Sequence, residues 1–312
     1  MVAIVIPYYR ITFFEATLRS LATQSDTRFK VYVGDDASPK SPDELLENYR
    51  GKFDFDYFRF EENLGSTSLV KQWERCLALV GDEEWVMILG DDDVLDIGCV
   101  EKLHFHLQEE NAGNYNVIRF ASYIIDAEGS LQSPLYIHPS TEKSTDFLLR
   151  KLNGQTRSSL GEYVFRKSVL DRTGFYDFPL AWHSDEMVIL QCSDFGKIFS
   201  INDAAVYIRE SDESISGKQN NMGLKKKATY LFCRKLIDTH SAHFNQIQRI
   251  KLLGRIEKYF YVNRKLSLFF KLCFWYVSKT GVINLTKFAR RFLLHLAKDL
   301  KVNPRKKNHI NQ

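Results

Sequence analysis

Blocks of apolar and polar residues alternate along the first hundred positions and predict strands and helices in turn. Phe14, Leu18 and Leu21 recur at helical spacing, and apolar residues over Thr67–Val80 do the same. A further helix is expected to begin at Pro42. Mainly apolar runs predict strands at Val2–Ile6, Phe29–Val33, Asp56–Phe60 and Glu84–Leu89. Because strands and helices alternate, we expect βαβ units and a mixed, mostly parallel sheet with helices on both faces.

The stretch from residue 101 to residue 216 has shorter and less regular elements. Short helices are predicted at Ser168–Thr173 and Asp185–Cys192, and Gly129–Lys143 is predicted to be mostly loop. Strands are predicted at Val117–Phe120, Ser122–Asp126, Lys197–Ile201 and Ala205–Arg209. From Gly217 the pattern is helical to the end. The pattern therefore predicts an α/β domain over residues 1–216 and a helical appendage over residues 217–312.

The formal net charge of +4 is the sum of two unlike parts of the 312-residue chain. From Gly217 to Gln312 there are 22 Lys and Arg against Asp238, Glu257 and Asp299, a net charge of +19. The first 216 residues carry the remaining −15. This split predicts an acidic catalytic or binding body joined to a basic segment that meets an anionic partner. The ordinary composition, with 44% hydrophobic residues, excludes wholesale disorder and a disulfide scaffold.

Cysteine spacing and apolar runs indicate a compartment. The five cysteines are odd in number and form no CxxC pair, which is typical of reduced thiols in a cytoplasmic protein without a zinc framework. The first residues run directly into a strand, so no signal peptide is predicted. Leu266–Ser278 is the most apolar stretch, but Lys271 interrupts it and it is shorter than the ~20 residues that a spanning helix needs.

Polar side chains follow three of the predicted strands at the points where they end. Tyr8 and Tyr9 follow the first, Asp35 and Asp36 the second, and the triplet Asp91 to Asp93 the fourth. In parallel sheets ligands bind beyond the carboxyl ends of the strands. Three adjacent acids raise one another's pKa values, and Mg²⁺ or Mn²⁺ would relieve that repulsion. The alternative is a solvated turn in which Asp93 caps a helix.

Seven segments carry a resemblance to a known family, in order along the chain: VAIVIPYYR (2–10), VYVGDDAS (31–38), NLG (63–65), WVMILGDDDVL (85–95), RTGFYD (172–177), WHSDEMVIL (182–190) and VYIRESDESIS (206–216). Together they resemble the family 2 glycosyltransferases, which have a GT-A fold, over roughly residues 2–216. The resemblance implies a nucleotide-sugar half at about 1–100 and an acceptor half at about 101–216. Two departures stand out, because Gly90 takes the place of the usual first acid of Asp-x-Asp and Ala37 that of a usual glycine.

The resemblance also implies roles for individual residues. It makes Asp92 and Asp93 ligands of Mn²⁺ or Mg²⁺, and Asp185 the general base with Glu186 as the alternative. Trp182 and His183 are implied to bind the acceptor. Contacts to the nucleotide sugar are implied for Pro7, Tyr8, Tyr9, Asp35, Asp36, Asn63, Gly65, Asp91 and Arg209. Structural alternatives stay open: Asp185 and Glu186 as first-turn acids of a helix, Arg209 in an ion pair, and Trp182 and His183 in packing. Which of the three acids binds metal is also open.

The implied activity is sugar transfer with inversion, from a nucleotide sugar, expected to be a UDP-sugar, to a hydroxyl group of a glycan acceptor. One base and no nucleophile on the enzyme favour direct displacement over the paired carboxylates of a glycosidase. The resemblance further implies a polyprenyl-diphosphate-linked acceptor and a role in O-antigen or capsule biosynthesis. A second hypothesis is a non-catalytic protein that binds membrane or lipid carrier on a decayed transferase fold. A nucleotidyltransferase is disfavoured, since no Gly-rich phosphate loop follows the first strand.

The basic segment 217–312 has its own pattern. Lys287–Lys301 reads KFARRFLLHLAKDLK, which suits a helix at an anionic membrane surface. Its predicted apolar stripe consists of Phe288, Phe292, Leu293, Leu296 and Leu300. The alternative is an appendage that packs on the catalytic domain, and nucleic acid is a less favoured partner. We therefore expect a cytoplasmic protein, peripheral at the inner face of the cytoplasmic membrane.

Overall fold

The computed structural model describes residues 1–109, 112–211 and 221–302, with side chains up to residue 298. The chain divides into two units, Met1–Ala228 and Thr229–Gln312. The predicted boundary between residues 216 and 217 lies outside the described residues and stays a prediction. All five cysteines lie in the described parts and are free thiols.

In the described part of the first unit, nine strands form one mixed sheet in the order β3-β2-β1-β4-β8-β6-β9-β5, with β7 paired to β9. Their bounds are β1 Val2–Tyr8, β2 Phe29–Asp35, β3 Asp54–Arg59, β4 Trp85–Ile88, β5 Val94–Leu95, β6 Val117–Ile125, β7 Thr141–Lys143, β8 Tyr163–Arg166 and β9 Lys197–Arg209. The strands β1 to β4 are parallel to one another, and β6 is parallel to β9. This mostly parallel, mixed sheet confirms the predicted fold class.

Helices cover both faces of the sheet. Residues of β1 alternate between two core clusters: Val2, Ile4 and Ile6 face one cluster, and Ala3 and Val5 face the other. A strand that is buried on both faces has no polar positions, which explains its continuous apolar run. The helices of this unit are α1 Phe14–Ala22, α2 Asp43–Glu47, α3 Leu69–Leu77, α4 Cys99–Gln108, α5 Ser144–Leu152, α6 Lys167–Thr173 and α7 Ser184–Cys192.

The second half of the sheet departs from the sequence prediction. Each of the two predicted strand pairs is one strand, β6 and β9. The two strands pair Phe120 with Ile201 and then Ala121 with Ala205, so residues 202–204 form an irregularity in β9. The side chain of Asn202 stabilises this irregularity through two hydrogen bonds with the backbone of His138. Its Oδ1 accepts from the His138 N–H at 3.0 Å, and its Nδ2 donates to the His138 carbonyl oxygen at 2.8 Å. Polar residues that interrupt an apolar run therefore mark a bulge here and not a strand end.

The second unit is helical in its described residues. It contains the greater part of α8 (Met222–Thr239), then α9 (Gln246–Asn263), α10 (Leu266–Trp275) and α11 (Val282–Val302), with a π-helical turn Tyr276–Thr280 between the last two. The carboxylate of Glu257 on α9 is buried and accepts hydrogen bonds from Arg291 on α11, at 2.9 and 2.7 Å. In the described chain, no helix combines the length and the apolar character needed to cross a membrane.

The apolar stripe predicted on residues 287–301 does not form one solvent-facing surface. Phe288 is buried, and Phe292 packs against Phe269 with ring centroids 4.8 Å apart. Leu293 and Leu296 are exposed, and the side chain of Leu300 lies outside the described residues. The predicted stripe is thus divided between packing and solvent, because its aromatic residues contact α9 and α10, and its role at a membrane stays a prediction.

Candidate functional site

The loop after β4 is fixed to the end of β1 by one carboxylate. Asp91 Oδ2 accepts hydrogen bonds from the backbone N–H groups of Tyr9 and Arg10, both at 2.8 Å. Since β1 and β4 are parallel neighbours, their carboxyl ends meet at one edge of the sheet. The structure therefore brings Tyr9 together with the acidic triplet.

The other side of this loop is fixed to the end of β9. Asp93 Oδ1 accepts a hydrogen bond from the backbone N–H of Arg209 at 3.0 Å. The Arg209 guanidinium donates to the backbone oxygens of Asp92 at 3.0 Å and of Asp126 at 2.5 Å. Its described hydrogen bonds go to carbonyl oxygens, and its guanidinium also lies over the Phe13 ring, so Arg209 joins the loops that follow β4, β6 and β9. The contact to the nucleotide sugar that the resemblance implies for Arg209 stays a prediction.

Two glycines make room for the Asp93 carboxylate. A Cβ atom added at Gly90 would lie 2.9 Å from Asp93 Oδ2 and 2.8 Å from Asp92 Oδ1. One added at Gly161 would also lie 2.9 Å from Asp93 Oδ2. Real Cβ contacts are longer than this, and Asp93 is held from the far side by Arg209. The glycine at position 90 is thus a requirement of the way these two carboxylates are packed.

The acids of the loop lie close together and raise one another's pKa values. Burial and the neighbouring Asp92 raise the pKa of Asp91 to about 7, and the same causes raise the pKa of Asp93 well above its ordinary value. A small cavity lined by Arg10, Phe13, Asp91 and Asp92 lies beside them. Within the described residues, no cluster of three or more His, Cys, Asp or Glu side chains could hold a metal ion. The donor set fits Mg²⁺ or Mn²⁺ held by one or two carboxylates, with substrate phosphates and water completing the shell.

The second acidic pair lies at the end of β2. Asp36 is buried and accepts hydrogen bonds from the backbone N–H groups of Leu64 at 2.7 Å and Gly65 at 2.9 Å, and from Arg75 of α3. A Cβ atom at Gly65 would lie 2.5 Å from Asp36 Oδ2, so only glycine permits this approach. Asn63 Oδ1 accepts from the backbone N–H of Ser66 at 2.8 Å and shapes the same turn. Three predicted site residues, Asp36, Asn63 and Gly65, are therefore neighbours.

Asp35 is buried beside them and holds a different loop. Its carboxylate accepts hydrogen bonds from Tyr57 at 2.8 Å, from Arg59 at 2.6 Å and from the backbone N–H of Ser38 at 2.7 Å. Between Asp36 and Ser38, Ala37 has a left-handed backbone with φ of 49°. That conformation favours glycine, which gives a physical reason for the usual glycine at this position.

Pro7 and Tyr8 end β1 beside the acids of β2. They pair in register with Gly34 and Asp35 of that strand. The Tyr8 ring is buried, and its hydroxyl donates to the backbone oxygen of Lys40 at 2.8 Å. Burial and the nearby Asp35 raise the pKa of Tyr8, so its hydroxyl stays protonated and acts as a donor.

The third predicted cluster lies at the start of α7. Leu180, Ala181 and His183 all have left-handed backbones, with φ of 62°, 52° and 76°. Such strain in non-glycine residues persists only where surrounding structure enforces it, and it concentrates at functional sites. The strained segment delivers Asp185 and Glu186 into the first turn of α7.

Asp185 and Glu186 have different environments around one cation. Lys151 of α5 binds Glu186 Oε1, and its Nζ lies 3.9 Å from Asp185 Oδ2. Burial would raise the pKa of Glu186, but Lys151 and then His183 outweigh it and hold that pKa well below its ordinary value. Burial and Glu186 raise the pKa of Asp185. The Glu186 side chain is 3% exposed and that of Asp185 17%, so Asp185 is the more accessible of the two.

Trp182 and His183 flank these acids. His183 Nδ1 lies 3.3 Å from Glu186 Oε2, which places His183 in the same cluster. The Trp182 ring is half-buried, with the ammonium of Lys225 4.9 Å from its centroid. The acceptor contacts implied for both residues stay predictions.

The segment at residues 172–177 ties the third cluster to the second. Ser68, the N-cap of α3, donates to the Asp177 carboxylate at 2.7 Å. On the same helix, the Trp73 ring packs against Phe175 with centroids 5.3 Å apart. The helix α3 also carries Arg75, the partner of Asp36. One helix thus contacts both the loop at residues 63–65 and the segment that leads into α7.

The family model for "Glycosyl transferase family 2" matches residues 3–172, more than half of the chain. The chain belongs to this glycosyltransferase family. No curated protein gives a significant sequence match.

Solved glycosyltransferase structures share the fold. Residues 1–349 of S. aureus TarS, in complex with UDP-GlcNAc, superpose with a TM-score of 0.64 at 18% identity, covering 88% of this chain and 79% of that one. The mannosyltransferase PcManGT from Pyrobaculum calidifontis, in complex with GDP-Man and Mn²⁺, gives a TM-score of 0.56 at 12% identity, covering 96% and 82%. The predicted family and GT-A fold are confirmed.

Two basic residues of this glycosyltransferase were missed by sequence reasoning. Lys151 lies on α5, which was not predicted, so nothing linked it to the acids 34 and 35 positions later. Arg75 lies on a predicted helix, but a basic side chain on a helix surface carries no sign of its partner. Charge pairs of this kind become visible only once the elements that carry them are packed.

A buried charged network links β6, β7, β9 and α5. Arg119 of β6 is fully buried and donates to Glu142 at 3.1 Å and Ser200 at 3.0 Å. Arg150 of α5 binds the same Glu142, at 2.6 and 2.9 Å. Burial, Arg119 and Arg150 lower the pKa of His138 to about 3, so this imidazole is neutral. The network holds α5, and with it Lys151, on the sheet.

Proposed function

We propose that this glycosyltransferase moves a sugar from a UDP-sugar to a hydroxyl group of a glycan acceptor, with inversion at the anomeric carbon. The observation that carries the proposal is the difference in environment between Asp185 and Glu186 at the start of α7. Glu186 is buried and engaged by Lys151 and His183, while Asp185 is partly accessible and has a raised pKa. A carboxylate whose pKa is raised is a stronger base than an ordinary carboxylate, which suits it to accept a proton from an acceptor hydroxyl.

The donor side of the proposal rests on the acids at the sheet edge. The base and ribose would be bound by Asp36, Asn63 and Gly65. Asp35 and the end of β1, at Pro7 and Tyr8, would complete this part of the site. Tyr9, Asp91 and Arg209 would position the diphosphate end, since they fix the loop that carries Asp92. Neighbours of the same fold bind UDP-GlcNAc and GDP-Man, which supports a nucleoside-diphosphate sugar.

A divalent cation is part of the proposal. Asp92, with Asp91 or Asp93, would hold Mn²⁺ or Mg²⁺, and the ion would supply charge compensation on the leaving diphosphate. The closeness of the three acids supports this assignment, because a cation would relieve the repulsion that, together with burial, raises the pKa values of Asp91 and Asp93. Arg209 and the N–H groups of Tyr9 and Arg10 orient the loop before any ligand arrives.

The chain's own residues then account for the proton. Asp185 would hydrogen-bond the attacking hydroxyl and take its proton as the oxygen forms the new glycosidic bond. The bond from the anomeric carbon to the diphosphate breaks on the opposite face, and the nucleoside diphosphate leaves with that electron pair. Since the enzyme forms no covalent bond to the sugar, one displacement inverts the configuration. Trp182 and His183 would contact the acceptor.

The acceptor and the place of action complete the proposal. We infer a polyprenyl-diphosphate-linked glycan at the inner face of the cytoplasmic membrane, in O-antigen or capsule assembly. Support comes from the net charge of +19 over residues 217–312, which suits an anionic lipid surface and an anionic lipid-linked substrate.

A thermal-unfolding screen tests the donor. UDP-GlcNAc, UDP-Glc, UDP-Gal and GDP-Man are added with and without Mn²⁺, and we expect a UDP-sugar to raise Tm only with the metal. A ligand at about 100 times its Kd stabilises the native state by about 2.7 kcal/mol, which is readily measured. A failure of all four sugars to raise Tm with either Mn²⁺ or Mg²⁺ would contradict the proposed donor site.

A transfer assay with three variants tests the residues. Asp92→Asn and Asp185→Asn are expected to lose activity, whereas Asp82→Asn is expected to keep it. Asp82 is an exposed acid ahead of β4, at the opposite end of that strand from the triplet. Folded Asp92→Asn and Asp185→Asn proteins with the rate of the wild type would overturn the mechanism.

A further inference from the structure

The helix α10 is apolar on two opposite faces. Its inner face, with Leu268, Leu272 and Trp275, is buried within the second unit. Its outer face, continued by the π-helical turn Tyr276–Thr280, carries four large apolar side chains at spacings of four, four and three residues. This α10 stripe consists of Leu266, Phe270, Phe274 and Val277, which are 69%, 62%, 65% and 43% exposed. An apolar helix face is normally covered by another element, and no element in the described ranges 1–109, 112–211 and 221–302 covers this stripe.

An apolar cavity extends the stripe inward at one end. Leu266, the first residue of the stripe, is also part of the wall of a cavity of about 300 Å³ between α9, α10 and α11. Most of the remaining wall is formed by Phe260, Phe269, Phe292 and Leu296. The apolar surface on this side of the unit is therefore larger than the stripe alone. Isolated exposed apolar residues need no explanation, but a continuous surface does.

The charges around the stripe are all of one sign. Between Lys265 and Lys298 the sequence contains no Asp or Glu. Lys265, Lys271, Lys287 and Arg290 are exposed on the helices that bear or follow the stripe. The nearest acid on α9, Glu257, is buried and bound by Arg291. A second copy that paired through this same surface would bring the same cations to the contact, and repulsion would oppose such a symmetric pairing.

An anionic bilayer matches both features. The ten-residue helix is about 15 Å long, half the ~30 Å thickness of the hydrocarbon layer, so it cannot cross it. Lying in the interface, its apolar side chains would enter the boundary of headgroups and acyl chains while the lysines reach lipid phosphates. We propose that the α10 stripe is the face by which this protein docks on an anionic phospholipid bilayer.

The inference rests on the membrane location given under Proposed function, and it names the surface responsible. The test is co-sedimentation of the full chain with vesicles, without any sugar donor. Vesicles of phosphatidylcholine alone are compared with equimolar phosphatidylcholine and phosphatidylglycerol. We expect binding to the mixed vesicles and at least tenfold weaker binding of the double variant Phe270→Ser, Phe274→Ser. The matched control is Ile137→Ser, an isoleucine of the first unit that is 63% exposed.

Several outcomes would overturn the proposal. One is no binding of the wild type to the mixed vesicles. Another is full vesicle binding by the double variant Phe270→Ser, Phe274→Ser together with loss of binding by the double variant Lys265→Gln, Lys271→Gln. That result would mean that charge alone causes the binding. A third is a wild-type dimer in solution that the double variant loses, which would make a second copy the occupant.

Folding and catalysis are measured on the same proteins. Thermal unfolding shows whether each variant is folded, and replacement of exposed phenylalanines by serine is not expected to lower Tm. Transfer to a soluble acceptor is assayed separately. If transfer fails while vesicle binding holds, the catalytic proposal is wrong and the docking surface stands. If vesicle binding fails while transfer holds, the reverse conclusion follows.

Discussion

Lys151 binds the carboxylate of Glu186 and thereby joins α5 to the first turn of α7. Asp185 lies next to Glu186 in sequence, but its carboxylate is 3.9 Å from the same ammonium group. The Lys151 ammonium group is therefore closer to Glu186 than to Asp185 and stabilises the charge of Glu186 more. Glu186 keeps its charge at low pH, while burial and Glu186 raise the pKa of Asp185. The two acids become chemically distinct although they share one helical turn.

The first prediction separates the two acids. We expect Asp185→Asn to lower kcat by about 10²- to 10⁴-fold, the usual contribution of a general base, with little change in the free energy of unfolding. Glu186→Gln is expected to lower stability more and kcat less, because it leaves the Lys151 ammonium without its closest carboxylate. Steady-state kinetics and urea unfolding measure both quantities. A fully inactive Glu186→Gln beside an active Asp185→Asn would reverse the assignment.

The second prediction concerns the pH dependence that Lys151 imposes. Lys151 acts on both acids, His183 acts on Glu186, and Tyr163 acts on Lys151. Lys151→Met removes the cation that favours both carboxylates, so the pKa values of Asp185 and Glu186 rise. The acid limb of the kcat/KM profile is then expected to move to higher pH.

Stability should respond as well. The depressed pKa of Glu186 contributes stability that is present above its unfolded pKa of about 4.3 and is lost as pH falls through the folded value. That contribution should vanish in Lys151→Met and persist in Lys151→Arg. If the acid limb of the kcat/KM profile does not move in Lys151→Met, Lys151 has a packing role and does not set the pKa values of the two acids.

The third prediction concerns the buried imidazole of His138. Its pKa is lowered to about 3, below the ordinary value of 6.5, so the folded protein binds fewer protons than the unfolded chain between those pH values. Its stabilising contribution is complete above about pH 6.5 and falls by up to about 1.4 kcal/mol per pH unit on acidification. His138→Gln should flatten this slope in urea unfolding, whereas His243→Gln, at an exposed histidine, should not. Equal slopes in all three proteins would contradict the prediction.

The fourth prediction concerns the approach of Gly65 to Asp36. A methyl group at position 65 would meet Asp36 Oδ2 at 2.5 Å, so Gly65→Ala must displace that carboxylate or the turn. We expect at least tenfold weaker UDP binding by calorimetry, an effect of about 1.4 kcal/mol or more. The control is Gly254→Ala in the middle of α9, where a Cβ meets open space and should stabilise the helix by about 0.5–1 kcal/mol. Unchanged UDP binding by Gly65→Ala would remove this loop from the donor site.

The first half of the fold and its acids could be predicted, because a strand that is buried on both faces is a continuous apolar run in the sequence. The strands β1, β2 and β4 have few polar positions, so the acids that follow them mark the strand ends. In the second half of the fold, the apolar pattern of the strands is weaker. The strand β8 has four residues, and β9 contains polar Asn202 and Asp203 within one continuous strand. Short or irregular strands cannot be told from loops by periodicity alone.

The same limit applies to the site. Residues on adjoining strand ends, such as Tyr9 and Asp91, could be placed together because parallel topology dictates it. Lys151 could not, because its position depends on a buried ionic network. Arg119 illustrates the difficulty, since it lies in the apolar sequence VIRF and a charged residue is normally expected at the surface. Pairing with Glu142 overrides that expectation, and the sequence carries no sign of the pair.

The packing around Asp93 has an evolutionary consequence. Gly90 and Gly161 approach the same carboxylate oxygen from different loops, so neither glycine can gain a side chain while Asp93 keeps its place. An acid at position 90, which is usual in the family, therefore requires the carboxylates of Asp92 and Asp93 to shift. We expect positions 90, 93 and 161 to covary among close homologues, with an acid at 90 accompanied by a change at one of the other two. A side chain at position 90 and the present place of the Asp93 carboxylate exclude each other, so the two positions form one unit of selection.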